Sequence, residues 1–256
     1  MKILVCVKQV PDSAETICID DAAQSIVYKE SCVFRMNRYD EFALEEALRI
    51  RERFSGSTIE AISVGPDRVR KTIYKALEMG ADHGIHITEV SENYLDPAAR
   101  ASLIEGYARD KGYDLILTGV MAEDDMECQV GQILAALLRW PCATSVMHQK
   151  IDLEERSVYV EREIEGGARE GFTILLPAVL SIQSGINSPR YPSLSNVLRA
   201  RTQELVTVPP AGEARAVQRM TGLSYPDAGA AGTFLEGTSA DKARELIRLL
   251  HERSVL

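Results

Sequence analysis

The chain lacks most of the devices by which a sequence announces its chemistry. Its five cysteines, Cys6, Cys18, Cys32, Cys128 and Cys142, include no CxxC pair. That spacing excludes a zinc site or disulfide framework legible from sequence and leaves isolated buried thiols as the expectation. Histidines number only four. His83 and His86 flank a short strand-like run and fall on opposite faces by alternation, so they make no metal pair. His148 and His251 stand in polar surroundings suited to the surface, and the single tryptophan, Trp140, reads as core. Neither a GxGxxG fingerprint nor a Walker loop occurs, and no Ser/His/Asp or Cys/His set stands at suggestive positions. No window approaches the roughly 20 apolar residues of a membrane span. A strand-like run starts at Lys2 without the pattern of a signal peptide, so the chain is expected in the cytoplasm, or in the mitochondrial matrix if it is eukaryotic. Positive charge is also scarce: the net charge is −9, which argues against nonspecific nucleic-acid binding. Against that background Arg190, Arg199 and Arg201 form a local basic exception.

What is present is a regular alternation of strands and helices. With 256 residues and 45% hydrophobic content, one large or two small domains with a sizeable core are expected. Lys2–Val7 is an apolar run with little alternation, as in a strand covered on both faces. Asp40–Arg53 carries apolar residues at helical spacing, with acids early and arginines late. Ile59–Val64 reads as a strand, Arg68–Met79 as a helix ended by Gly80, and Gly84–Ile87 as a strand. Pro97–Asp110 reads as a helix, Leu115–Thr118 as a strand closed by Gly119, and Gly131–Leu138 as a helix stopped by Pro141. This order predicts a parallel α/β sheet.

After Pro141 the pattern changes. Ser157–Ile164 and Phe172–Ile182 read as antiparallel strands joined at Gly166-Gly167. The chain then leaves through Pro189 and Pro192 and places Leu194 ahead of a basic helix start at Val197–Arg201. A proline-braced loop carrying an apolar residue, with arginines behind it, has the character of a docking surface. Glu161, Glu163 and Glu165 alternate along the preceding strand as a solvated face. Beyond Val208 an irregular Pro/Ala/Gly-rich stretch leads to a helix at Ala240–Glu252, with Ser239 as the expected N-cap. A stretch of that length is uncommon inside a compact domain; it suits an arm lying across a partner or, alternatively, a disordered linker to the terminal helix.

Ligands of open α/β sheets bind beyond the carboxyl ends of the strands. Four segments fall there: Cys6-Val7-Lys8 with Pro11-Asp12, Asn37-Arg38-Tyr39-Asp40, Val64-Gly65-Pro66, and Gly119 to Gly131. The last reads GVMAEDDMECQVG. Its helix start at Gln129-Val130-Gly131 suits a phosphate, and Asp124-Asp125 suit either a ribose hydroxyl or the cap of that helix. A nucleotide-hydrolysing enzyme would also use an acid pair, but no glycine-rich loop with a lysine accompanies this one.

The start MKILVCVKQVPD, the segment ALEMGADHGIHI, the CQVG loop end and VEREIEGG, LPAVLSI and NSPRYPSLSNVLRAR together resemble the β subunit of electron transfer flavoprotein. The resemblance runs from Met1 to about Val206. It implies a flavodoxin- or Rossmann-like α/β domain, similar to adenine nucleotide α-hydrolases, over residues 1–206. Its mostly parallel twisted sheet would have helices on both faces and an antiparallel extension. Residues 207–256 would form an extended arm with one helix against an α subunit. It further implies a heterodimer whose α subunit carries FAD. Acyl-CoA-type dehydrogenases of fatty acid oxidation would donate electrons, and a membrane quinone oxidoreductase would accept them. This chain would be an electron carrier subunit rather than an enzyme, binding AMP structurally or, in electron-bifurcating members, a second FAD reduced by NADH.

By matching positions, the nucleotide site would comprise Cys6, Asn37, Arg38, Tyr39, Asp40, Val64, Gly119, Asp124, Asp125, Met126, Gln129, Val130 and Gly131. Tyr39 would lie nearest the partner's flavin. Leu194 would be the docking residue of the recognition loop, with Tyr191, Arg199 and Arg201 beside it, and Glu163 would face the mobile flavin domain. The chain departs from the family pattern at Val120-Met121, where a lysine-glutamine pair is usual, at Met126 in place of a third acid, and at Val130 in place of a threonine.

Overall fold

A computed structural model of the chain describes residues 1–20, 25–89, 94–211, 216–226 and 232–255. The strands, in chain order, are β1 (Lys2–Cys6), β2 (Gln9–Pro11), β3 (Cys18–Asp20), β4 (Ser25–Val27), β5 (Phe34–Met36), β6 (Thr58–Gly65) and β7 (His83–Thr88). They continue with β8 (Leu115–Gly119), β9 (Cys142–Asp152), β10 (Ser157–Glu163), β11 (Arg169–Leu175), β12 (Ala178–Ile182) and β13 (Val206–Val208). The helices are α1 (Arg38–Arg53), α2 (Arg70–Met79), α3 (Pro97–Ala108), α4 (Val130–Leu138), α5 (Leu194–Thr202) and α6 (Ser239–Glu252). Nine strands form one sheet in the order β11-β10-β9-β12-β8-β1-β6-β7-β13. Every pairing from β9 to β13 is parallel, and β10 and β11 add antiparallel at one edge.

The lack of alternation in β1 has its cause in the two layers of helices. Ile3 and Val5 face a core shared with Leu44, Ala47 and Leu48 of α1 and Leu77 of α2. Leu4 and Cys6 face the opposite core, with Leu103 and Ile104 of α3 and Leu134 of α4. With both faces covered, a central strand has no position for an exposed polar residue. Gly80 ends α2 with φ 133°, a backbone conformation open to glycine and strained for other residues.

Two expectations need correction, and one strand had no counterpart in the sequence reading. The run Phe172–Ile182 is not one strand but two. It breaks at Leu176-Pro177, where proline has no N–H for the ladder. Its first half is the edge strand β11, while β12 runs inside the parallel sheet between β8 and β9. The strand β9 carries too many polar residues for its pattern to show, because only part of it is covered. In α6 the N-cap is Thr238 rather than Ser239: Thr238 and Asp241 form a reciprocal capping box, which satisfies two backbone donors.

The residue contacts divide the chain into Met1–Gly222 and Leu223–Leu256. The expected boundary after 206 falls inside the first unit, because β13 pairs with β7 and because Val217 and Gln218 donate their backbone N–H groups to Asp96. The second unit contains α6, which has no buried residue and exposes Leu246 and Ile247. Among the described residues no helix is long and apolar enough to cross a membrane.

Candidate functional site

The sheet reverses its direction of growth at β1, which lies between β6 on one side and β8 on the other. A cleft opens there beyond the carboxyl ends of these strands, the position expected for a ligand in this class of sheet. It is lined by the ends of β1, β6 and β8, the start of α1, one face of α3 and the Gly119–Gly131 loop.

The start of α1 fastens the cleft's two main walls together. Asp40 accepts from the backbone N–H of Lys8 at 2.7 Å and from that of Gly119 at 3.0 Å. Asn37 donates to the carbonyl of Met121 at 2.8 Å and accepts from the N–H of Glu123 at 3.2 Å. Both side chains are buried. Burial pushes the Asp40 carboxyl up to about 7, against the pull of the donors around it. Gly119 must be glycine: an added Cβ would lie 2.5 Å from Asp40 Oδ1 and 2.8 Å from the backbone carbon of Tyr39.

The acid pair of the loop is held by a cation. Lys8 Nζ contacts Asp124 at 2.6 Å and Asp125 at 2.7 Å, and Arg100 of α3 stands 3.7 Å from Asp125. Burial alone would raise the Asp125 carboxyl, but the Lys8 charge and hydrogen bond outweigh it and hold the carboxyl below its usual value. Neither acid caps α4, so that reading of the pair is corrected. Its N-cap is Gln129, whose side chain makes no capping bond, and the first N–H groups of the helix are open to a ligand. Close to them the hydroxyl of Thr118 is buried without a partner among the described residues. A Cβ on Gly131 would come within 2.8 Å of that hydroxyl, so the glycine keeps the space clear. An uncapped helix start, an orphaned hydroxyl and two cations form a donor set that fits a phosphate-bearing ligand.

Of the residues expected here, nine line the cleft; Arg38, Tyr39, Asp124 and Met126 lie outside its lining. Arg38 and Tyr39 sit on the first turn of α1, Arg38 exposed and Tyr39 half-buried. Asp124 supports the wall through Lys8, and Met126 is exposed. Cys6 is a packing residue: burial, and then the Asp40 charge, push its thiol well above the ordinary range. Lys8, Arg100, Thr118 and Glu127 line the cleft without having been singled out. Lys8 lay in a segment named for its place at a strand end. Arg100 sits on a helix whose sequence distance from the strand ends hides it. At the mouth, Tyr94 donates to Glu127, and Gln218 donates to the side chain of Gln129 at 3.3 Å. This contact from the far end of the first unit had no sequence signal.

The second predicted surface, the loop before α5, exposes Tyr191 (95%) and Leu194 (77%). Its arginines are not a free basic patch. Arg190 grips Glu45 with Nε at 2.8 Å and Nη2 at 2.9 Å, and reaches Glu52 at 2.6 Å. Arg199 donates to the carbonyls of Leu77 and Ala81, each at 3.0 Å, at the end of α2. Arg201 remains exposed. Glu163, at the end of β10, is exposed and accepts from Gln183 at 3.1 Å. The surface is therefore chiefly apolar.

The sequence profile of the electron transfer flavoprotein domain matches residues 25–213. The chain is 40% identical over 205 residues to an electron transfer flavoprotein subunit beta of Dictyostelium discoideum, across 80% of each chain. It is 32% identical over 263 residues to one of Methylophilus methylotrophus, across 98% of each, and 36% identical over 210 residues to one of Bos taurus, across 81% of each.

Proposed function

The chain belongs to the electron transfer flavoprotein family as a β-type electron-transfer subunit, and from that premise we propose that it binds AMP in the β1/β8 cleft and pairs with an FAD-carrying α subunit. It receives electrons from acyl-CoA-type dehydrogenases that dock at the Tyr191–Leu194 loop, and the complex passes them to a quinone reductase. The compartment is the cytoplasm, or the mitochondrial matrix in a eukaryote.

One observation carries the nucleotide reading: the uncapped start of α4 faces a cleft that also holds the orphaned Thr118 hydroxyl. In this reading the phosphate sits on the N–H groups of Val130 and Gly131, with Arg100 and Lys8 supplying positive charge. Bound FAD supplies the redox chemistry. This chain positions it, with Tyr39 on the side turned to the partner's flavin, and presents the donor's docking surface. No group in this chain needs to change redox state.

A second FAD in the same cleft is the alternative. Val130 supports it, since valine cannot offer a phosphate the hydroxyl hydrogen bond that the family's usual threonine offers. Heat-denaturing the native complex and separating the released nucleotides decides the matter. One FAD and one AMP per heterodimer is the expected result. Two FAD without AMP overturns the assignment in favour of the alternative.

A further inference from the structure

Two buried carboxylates on α1 have no part in the cleft. Glu45 and Glu46 are each only 3% exposed, follow one another in sequence and turn toward the docking loop. Buried carboxylates are costly unless paired and hydrogen-bonded, and both here are fully engaged. Glu46 accepts from Asn187 at 3.0 Å and from Gln149 of β9 at 2.8 Å. Asn187 also donates to the carbonyl of Phe42 at 3.0 Å. Glu45 accepts both prongs of the Arg190 guanidinium and, at 3.1 Å, the backbone N–H of Arg190 itself. Arg49 adds a weaker contact at 3.4 Å. The hydrogen bonds that Arg190 donates to Glu45, and then to Glu52, raise its guanidinium above its usual range.

The loop is thus held at two points, Asn187 and Arg190, that precede the exposed Tyr191 and Leu194. The chain between them contains Pro189, and Pro192 follows, so few rotatable bonds separate the held residues from the presented ones. The same helix holds the cleft. Asp40 fixes the ends of β1 and β8, and five residues later, about 7.5 Å along the axis, Glu45 fixes the loop.

We propose that Glu45 is a positioning residue for docking: through the Arg190 fork it fixes the Tyr191–Leu194 surface to α1, and so sets its distance and angle to the nucleotide cleft on the same helix. The proposal rests on the docking role given to this loop above. A guanidinium fork matches a carboxylate in two parallel bonds, which a lysine cannot reproduce. Orientation, rather than charge alone, is what the pair supplies.

The test uses the complete heterodimer carrying Arg190→Lys, with Leu194→Ala as a separate variant. Arg190→Lys keeps the charge beside Glu45, and Arg190 is partly exposed, so the fold is retained. Exchange of the Arg190 amide, which Glu45 accepts at 3.1 Å, is expected to quicken about tenfold when measured without any donor present, while α1 and the sheet keep their protection. The KM for the dehydrogenase should rise by about fivefold or more with kcat little changed, because a loosened loop must be ordered at each encounter. Unchanged exchange in the loop overturns the positioning role. Faster exchange together with an unaltered KM for both Arg190→Lys and Leu194→Ala leaves Glu45 as the loop's fastener but removes the docking reading on which its purpose rests, and the proposal falls with it. An altered KM for Leu194→Ala with no change for Arg190→Lys keeps the docking reading and overturns the positioning role alone.

Discussion

The cleft at the strand ends and the loop before α5 use charge in opposite ways. In the cleft, Lys8 and Arg100 balance Asp124 and Asp125, yet a hydroxyl and a helix start have no side-chain partner among the described residues. In the loop, Arg190 and Arg199 find their strong partners inside the protein, while Tyr191 and Leu194 are the large apolar side chains left exposed there, with Arg201 further along α5. Unsatisfied polar groups call for a polar ligand. An exposed apolar pair on a fastened loop calls for a groove that removes it from water. One acidic molecule therefore presents two regions of different chemistry, whose anchors Asp40 and Glu45 lie about a turn and a half apart along α1.

Breaking one surface should leave the other intact, and Gly119→Ala is the most severe way to break the cleft. The new methyl would meet Asp40 and the Tyr39 backbone well inside contact distance, so a loss of about 3 kcal/mol is expected, at the top of the overpacking range. Denaturant titration of the complex reads the loss, and nucleotide content should drop with it. Normal nucleotide content and stability would mean that the cleft walls are softer than the geometry requires.

Asp40→Asn is the next test. The replacement leaves one of two N–H donors, from Lys8 or Gly119, facing an amide nitrogen. The expected cost is about 1–3 kcal/mol. It also carries a pH signature. The folded carboxyl sits up at about 7 against an ordinary value of 3.8. Between those values the folded chain keeps a proton that the unfolded chain releases, so this group's contribution to stability falls as pH rises through that window and is level above it. The variant should lose that part of the slope. The same stability profile against pH in both proteins would show that Asp40 does not titrate there.

The smallest effect belongs to the loop. Leu194→Ala should leave stability and flavin content as they are, because the side chain is largely in water. Electron uptake at limiting dehydrogenase should fall by about tenfold, the loss of roughly 1.5 kcal/mol from an apolar side chain seated in a groove. An unchanged rate would place the donor's docking site elsewhere and end the symmetry between the two surfaces.

Much of the fold could be read from the chain. The parallel strands and the helices between them showed in the period of their apolar residues, because each layer buries one stripe. β9 and the break between β11 and β12 did not show. A strand covered along part of its length keeps a mixed pattern, and a single proline inside an apolar run does not say on which side of the sheet the chain continues. At the site, Gly119, Gln129 and Gly131 stood out from their place between a strand and a helix. Arg100 and Gln218 did not, since each reaches the cleft from an element distant in sequence.

Sequence alone determined the layered architecture and the family and singled out two segments, because periodicity, turn residues and a dense motif are local properties of the chain. Tertiary structure decided which groups in those segments are available. It paired Asp124 and Asp125 with Lys8, gave Arg190 to Glu45 and Arg199 to the end of α2, and left the Thr118 hydroxyl without a partner among the described residues. A charge is free or engaged according to what lies within a few ångströms of it, and here the engaging residue is often more than a hundred positions away.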